Sequence, residues 1–201
     1  MEICRPAPDD PLQRFLVLLE RAKATPQILE PTGMTLATVG ADGRPSARIV
    51  LLKGADEDGL VFYTNLESRK GREALARPDV ALLFWWPPLE SQVRFEGRAE
   101  RVPEEEADAY FATRARGSQL GAWASAQSRA LASREELEAK LAEVTEKFEG
   151  MPVPRPPHWS GFRVKPLAVE FWRNRPNRLH QRELYTREKP GAPWLVQLLN
   201  P

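Results

Sequence analysis

Tyr110, Arg114 and Ser118 recur every four residues in a stretch with helical signals. On a helix such residues share one face. A phenol, a guanidinium and a hydroxyl together suit a phosphate ester, and they also make an ordinary polar helix face. A second cluster lies in FYTNLESRKGRE, Phe62 to Glu73. A strand-like run ends in Tyr63-Thr64-Asn65, and a helix is expected from Ser68 with Arg69 and Lys70 in its first turn. Cations there oppose the helix dipole. A bound anion would account for them, because a helix start carrying Arg and Lys is a good phosphate site; the alternative is two solvated cations. The third is RIVLLK, where Arg48, Val50 and Leu52 share one strand face and Ile49, Leu51 and Lys53 the other. The fourth runs from Glu170 to Glu188 and gathers five arginines, Trp172 and His180, one of two histidines in the chain.

These groups need a scaffold. Asp10-Pro11 reads as an N-cap followed by Pro at the first helical position, ahead of an apolar stripe through Leu12, Phe15, Leu16 and Leu19. A hairpin turning at Asp42-Gly43 joins MTLATVG to ARIVLLK, and LVFYTN forms the next strand. SRKGREALA is a short helix. VALLFWW and QVRFEGRAERV pair across PPLE, with one of Trp85 and Trp86 expected to fill or cap the barrel. PEEEADAYFATRARG reads as one helix ending at Gly117. Ser133 and Glu136 have capping-box spacing before a helix that Gly150 closes. Strands then return as SGFRVKP, LAVEFWRN, RLHQRELYTRE and WLVQLL.

Seven or eight strands with helices between hairpins do not make a βαβ alternation. The expected class is α+β: an antiparallel split barrel with peripheral helices, one domain over 1–201 with a short tail at 1–9. Neither GxGxxG nor a P-loop is present, so side chains and isolated amides must hold any phosphate.

With 29 basic and 28 acidic residues the net charge is +1, which argues against general nucleic-acid or membrane-surface binding. Residues 163–189 are locally basic, but the cations scatter along strands without a nucleic-acid motif. One cysteine excludes an intrachain disulfide, and with two histidines it supplies no His/Cys metal cluster. No run approaches the roughly 18 apolar residues of a membrane span, and a cytoplasmic location is expected.

In combination, RIVLLK, FYTN-x-x-SRK, GSQLGAW at Gly117–Trp123, Gln127-Ser128 and EFW…RLHxR ending at Arg182 resemble the pyridoxamine (pyridoxine) 5'-phosphate oxidases, FMN flavoproteins with a split-barrel fold. The resemblance runs from about Asp10 to Pro201. It implies that Arg48, Ile49, Val50, Leu51, Leu52 and Lys53 line FMN, with Lys53 also facing the substrate. Tyr63 and Thr64 would contact the flavin, and Arg69 and Lys70 would hold its phosphate. Gln92, Gln127, Ser128, Trp172 and Arg182 would complete the flavin site, some of them across a homodimer interface. Tyr110, Arg114 and Ser118 would grip the substrate phosphate, and Arg178 and His180 would sit over the pyridine ring as catalytic residues. The implied reaction oxidises pyridoxamine or pyridoxine 5'-phosphate to pyridoxal 5'-phosphate, with O2 as acceptor. A related branch oxidises phenazine precursors, and non-catalytic flavin- or haem-binding split barrels form a third class. Longer members carry a basic N-terminal segment with an Arg-Arg-x-Tyr-like run over the substrate. Here about nine residues precede the first helix without such a run, so the substrate is expected to be less enclosed or the specificity to differ.

Overall fold

The computed structural model describes residues 5–7 and 9–201, and most of the expected tail lies outside that range. Helix α1 (Pro11–Lys23) starts as the sequence predicts: Asp10 accepts from the Leu12 amide at 2.7 Å, and Pro11 takes the first helical position. Its stripe buries Leu12, Phe15 and Leu19.

Strands β2 (Gly33–Val39) and β3 (Pro45–Leu51) form the Asp42-Gly43 hairpin. After the short β4 (Gly54–Asp56) and β5 (Gly59–Asn65) come helix α2 (Arg69–Ala76), then β6 (Asp79–Trp86) and β7 (Ser91–Arg101). Three helices follow: α3 (Glu104–Ala112), α4 (Arg116–Ala124) and α5 (Arg134–Lys147). The chain ends in β8 (Trp159–Arg173), β9 (Gln181–Thr186) and β10 (Leu195–Leu199).

All pairings are antiparallel, as expected. The described residues hold ten strands rather than seven or eight. Two are short pieces: β1 (Arg5–Pro6), which pairs with Leu195–Val196 inside the expected tail, and β4. SGFRVKP and LAVEFWRN, read as two strands, are the single strand β8. This strand splits the barrel. One of its edges carries β7 along its length; the other carries β5 over Trp159–Val164 and β9 over Ala168–Arg173. The register slips between Glu96 and Gly97, where a Cβ on Gly97 would stand 2.2 Å from the Lys165 carbonyl oxygen. Only glycine fits there, so the bend is written into the sequence.

Phe15 meets Phe84 and Phe95 with centroids 4.9 Å apart in both cases, joining α1 to the barrel interior. Trp86 is buried and donates from Nε1 to the Pro31 carbonyl at 3.0 Å, while Trp85 is 48% exposed. One of the two tryptophans therefore fills the barrel, as expected.

Candidate functional site

A cleft of about 690 Å³ opens where the end of β5, the edge strand β3 and helices α3 and α4 converge. Its cations are Lys53, Lys70 and Arg114, and no Asp or Glu lines it among the described residues. A cleft with three positive side chains and no carboxylate is built for anions.

At one end, Ser68 caps α2, its hydroxyl accepting from the Gly71 amide at 3.2 Å. A Cβ on Gly71 would stand 2.6 Å from the Asn65 carbonyl oxygen, so glycine lets the first helical turn sit directly on the end of β5. Lys70 Nζ reaches Gln127 Oε1 at 2.9 Å and Ser68 Oγ at 3.3 Å, with no carboxylate partner among the described residues. Burial, and then the charge of Arg48, hold its ammonium below the ordinary lysine value. Thr64 Oγ1 also meets Gln127 Oε1, at 3.4 Å.

At the other end stand Tyr110, Arg114 and Ser118. The expected single helix breaks after Ala112. Thr113 turns its hydroxyl onto the Tyr110 carbonyl at 2.8 Å, Ala115 is extended at ψ 139°, and the chain restarts as α4. Arg116 leaves that path to bind the Phe148 and Met151 carbonyls beyond α5. The three residues thus come from α3, a turn and α4, yet they line the same cleft. Tyr63 stacks on Tyr110 at 3.9 Å and 6°, with Trp159 parallel to it on 5.3 Å. Burial, and then Glu106, push the Tyr63 phenol up to about 12, so it stays protonated near neutral pH.

Of the residues expected to hold a flavin, Ile49, Val50, Leu51, Lys53, Tyr63, Thr64, Lys70 and Gln127 are brought together in this cleft with the substrate set. Others are not. Leu52 is a core side chain, 5% exposed, because it lies on the inward face. Arg48 points into the hairpin, donating to the Leu36 carbonyl at 3.2 Å and Thr38 Oγ1 at 2.6 Å. Arg69 lies on the exposed flank of α2 and pairs with Glu73 at 2.9 Å. Ser128 is exposed and holds φ 69° in the loop after α4.

The remaining residues occupy another surface. Gln92 and Trp172 line a separate cleft of about 210 Å³ beside Arg14 and Glu183. Trp85, Gln92, Trp172 and Arg182 are successive cross-strand partners on β6 to β9. Arg182 donates from Nε to the buried Glu170 at 2.7 Å. The His180 ring lies 4.5 Å from that of Trp172, and its Nδ1 meets the Arg175 amide at 3.3 Å. Arg178 was expected inside a strand. It sits instead in a short 3-10 turn, with φ 58° at Asn177 and φ 60° at Arg178, and β9 begins only at Gln181. Two successive left-handed non-glycine residues are a strained arrangement of the kind that clusters at functional sites.

Some contributors were not among the expected site residues. Asn65 and Trp159 line the cleft, the latter only because the linker returns it beside Tyr63. Glu73 is buried behind Arg69; its position four residues after Arg69 was the available signal.

A family model described as pyridoxamine 5'-phosphate oxidase matches residues 21–148, and one described as the pyridoxine 5'-phosphate oxidase C-terminal dimerisation region matches 159–201. The chain belongs to the pyridoxamine 5'-phosphate oxidase family. It is 62% identical over 194 residues to a pyridoxine/pyridoxamine 5'-phosphate oxidase of Myxococcus xanthus strain DK1622, covering 96% of this chain and 93% of that protein. A protein of the same name from Rubrobacter xylanophilus is 61% identical over 185 residues, covering 92% and 85%. Among solved structures, PhzG from Burkholderia lata 383 in complex with tetrahydrophenazine-1-carboxylic acid matches with a TM-score of 0.89 at 34% identity, covering 96% and 94%. A pyridoxamine 5'-phosphate oxidase-related, FMN-binding protein from Nostoc punctiforme shares the fold, with a TM-score of 0.75 at 18% identity, covering 97% and 100%. This family membership accounts for the split-barrel fold. No helix among the described residues is long and apolar enough to cross a membrane.

Proposed function

We propose that the protein is an FMN-dependent oxidase that converts pyridoxamine 5'-phosphate or pyridoxine 5'-phosphate to pyridoxal 5'-phosphate with O2 as electron acceptor. One observation carries the reading: the cleft holds Lys70 at one end and Arg114 at the other, with no carboxylate between them. Two anionic groups need two such ends. The donors fit. Arg114 Nη1 is buried without a hydrogen-bond partner among the described residues, and a buried unpaired guanidinium N–H is costly unless a ligand completes it. The capped start of α2, with Lys70 beside it, suits the phosphate of FMN.

When bound, FMN supplies the hydride acceptor and the route of electrons to O2. The chain's own residues supply position. Arg114, Tyr110 and Ser118 hold the substrate phosphate. Lys53, Tyr63 and Thr64 face the flavin, with Ile49, Val50 and Leu51 supplying an apolar wall that keeps water from it. Arg178 and His180 orient the pyridine ring, and Trp172, Gln92 and Arg182 close the far side. Because this last group lies away from the cleft in one chain, it reaches the site from a second copy in a homodimer. The match to a dimerisation region over 159–201, which spans Trp172 to Arg182, supports that arrangement.

The names of the relatives at 61–62% identity favour a vitamin B6 substrate over a phenazine precursor. So does the phosphate set, for which a non-phosphorylated tricycle has no use. The test is the absorbance spectrum of the purified protein under anaerobic conditions. A yellow protein that bleaches on adding pyridoxine phosphate supports the reading. A flavin spectrum that pyridoxine phosphate leaves unchanged refutes the substrate assignment, and failure to bind FMN refutes the whole.

A further inference from the structure

We infer that Glu73 is a positioning residue for the first turn of α2, which carries Lys70: its buried carboxylate, braced by Thr38, Ser46 and Arg48, holds Arg69 beside Lys70 so that the terminal nitrogens of Arg69 are offered to a phosphate. The inference rests on the reading of the Lys70 end of the cleft as the FMN phosphate site. Glu73 is 9% exposed and stands four residues after Arg69 on α2. Its Oε1 accepts from Arg69 Nε at 2.9 Å. Its Oε2 accepts from Thr38 Oγ1 at 2.5 Å and Ser46 Oγ at 2.7 Å, with Arg48 Nη2 at 3.4 Å. The carboxylate therefore ties α2 to the β2–β3 hairpin through three donors, Thr38, Ser46 and Arg48, while Arg69 donates to it from α2 itself.

The manner of holding Arg69 matters. Only Nε is used, so both terminal nitrogens remain without a partner among the described residues and can take an anion as a fork. An exposed pair four residues apart on a helix contributes little by itself. Here the acceptor is anchored from the hairpin side, so the arginine is pre-ordered rather than ordered by the ligand.

Charge pulls the other way, since a carboxylate near a phosphate repels it. Each Glu73 oxygen already faces a guanidinium, so that repulsion is largely offset within the cluster. Removing the carboxylate would free Arg69 and leave Arg48, whose side chain is 22% exposed, without its anionic partner. Positioning should win.

The experiment titrates flavin-stripped protein with FMN and with riboflavin, which lacks only the phosphate, and follows the quenching of flavin fluorescence. Glu73→Ala is expected to raise the FMN Kd about tenfold and to leave the riboflavin Kd within about twofold, the scale of losing one charge-assisted arrangement. Glu73→Gln, which keeps an acceptor for Arg69 Nε, should show a smaller loss in the same direction. A general folding defect would move both ligands together. If Glu73→Ala does not fold, Glu73→Gln decides alone. An unchanged or enlarged preference for FMN in the folded variants overturns the inference. A wild-type protein with no preference for FMN over riboflavin refutes the underlying phosphate-site reading and this inference with it.

Discussion

The Arg114 guanidinium lies over the Trp159 ring, 4.8 Å from its centroid, while its Nη1 is buried with no hydrogen-bond partner among the described residues. The indole packs against the guanidinium, and the unpartnered Nη1 is the nitrogen a ligand would complete. Burial holds this guanidinium below its ordinary value, with Tyr110 opposing the shift, yet it remains charged at any physiological pH.

Arg114→Ala should therefore raise KM for pyridoxamine and pyridoxine phosphates and leave kcat nearly unchanged. The phosphate is remote from the reacting carbon, so its contact is made equally in ground and transition states. The loss should be about 1.5–3 kcal/mol, or roughly tenfold to a hundredfold in kcat/KM. The variant should keep its flavin. Steady-state kinetics on both substrates checks this, and an unmoved KM would return the phenazine-type reading to contention.

Arg178→Ala should do the opposite. Its left-handed backbone at φ 60° and its place two residues before His180 suit a group that aligns the ring. Misalignment is felt in the transition state, so kcat should fall while flavin content stays constant. A variant with wild-type kcat would remove Arg178 from the catalytic set.

Arg69→Ala combined with Lys70→Ala should yield protein that loses FMN on dilution. Lys70 is half-buried and has only neutral partners, so an arriving phosphate would be its first counter-charge. Equilibrium titration should show a loss of tenfold or more, on the order of one charged hydrogen bond. Equal affinity in variant and wild type would place the flavin phosphate elsewhere.

Glu73 gives a pH signature. Burial alone would raise its pKa, but hydrogen bonds from Thr38, Arg69 and Ser46 pull it down to about 2 from an ordinary 4.5. A depressed carboxylate contributes stability that is fully present above its unfolded value and lost as pH falls toward its folded value. The wild-type protein should therefore lose part of its stability between about pH 4.5 and about pH 2, and Glu73→Gln should lose less over that window. Urea midpoints measured at several pH values decide it; identical slopes for the two proteins would contradict the assignment.

Local rules carried far in this chain. The cap at Asp10, the Asp42-Gly43 hairpin and the α2 start at Ser68 are each set by two or three adjacent residues, and each stands where those residues put it. The break between α3 and α4 was hidden because Thr113 and Ala115 are compatible with helix; the restart at Arg116 is accompanied by a tertiary contact, its guanidinium binding the carbonyls after α5. The union of SGFRVKP with LAVEFWRN was hidden by Pro166, which usually ends a strand but here sits at the register slip opposite Gly97. Local pattern likewise could not show that Leu52 faces the core or that Arg48 is spent on the hairpin. Nor could it show that Tyr110, Arg114 and Ser118, read as one face, would meet in the cleft from three separate elements.

The placement of the site residues on two surfaces yields the last prediction. Lys70 and Gln127 line the large cleft, whereas Gln92 and Trp172 line another, and no residue lines both. If one flavin needs both sets, two chains must supply it. Light scattering should then give twice the 22.8 kDa chain mass. Mass alone does not show sharing, but a mixed dimer does. One chain carries Arg69→Ala with Lys70→Ala, the other carries Trp172→Ala, and the two are co-expressed with different tags so that only mixed dimers are recovered. Each parental homodimer has two damaged sites. In the mixed dimer, two-fold symmetry places both defects in one site and leaves the other intact. The expected result is about one tightly held FMN per mixed dimer, against none for either parent. If each chain built its own site, every site in the mixed dimer would still carry one defect, and no tight FMN would return.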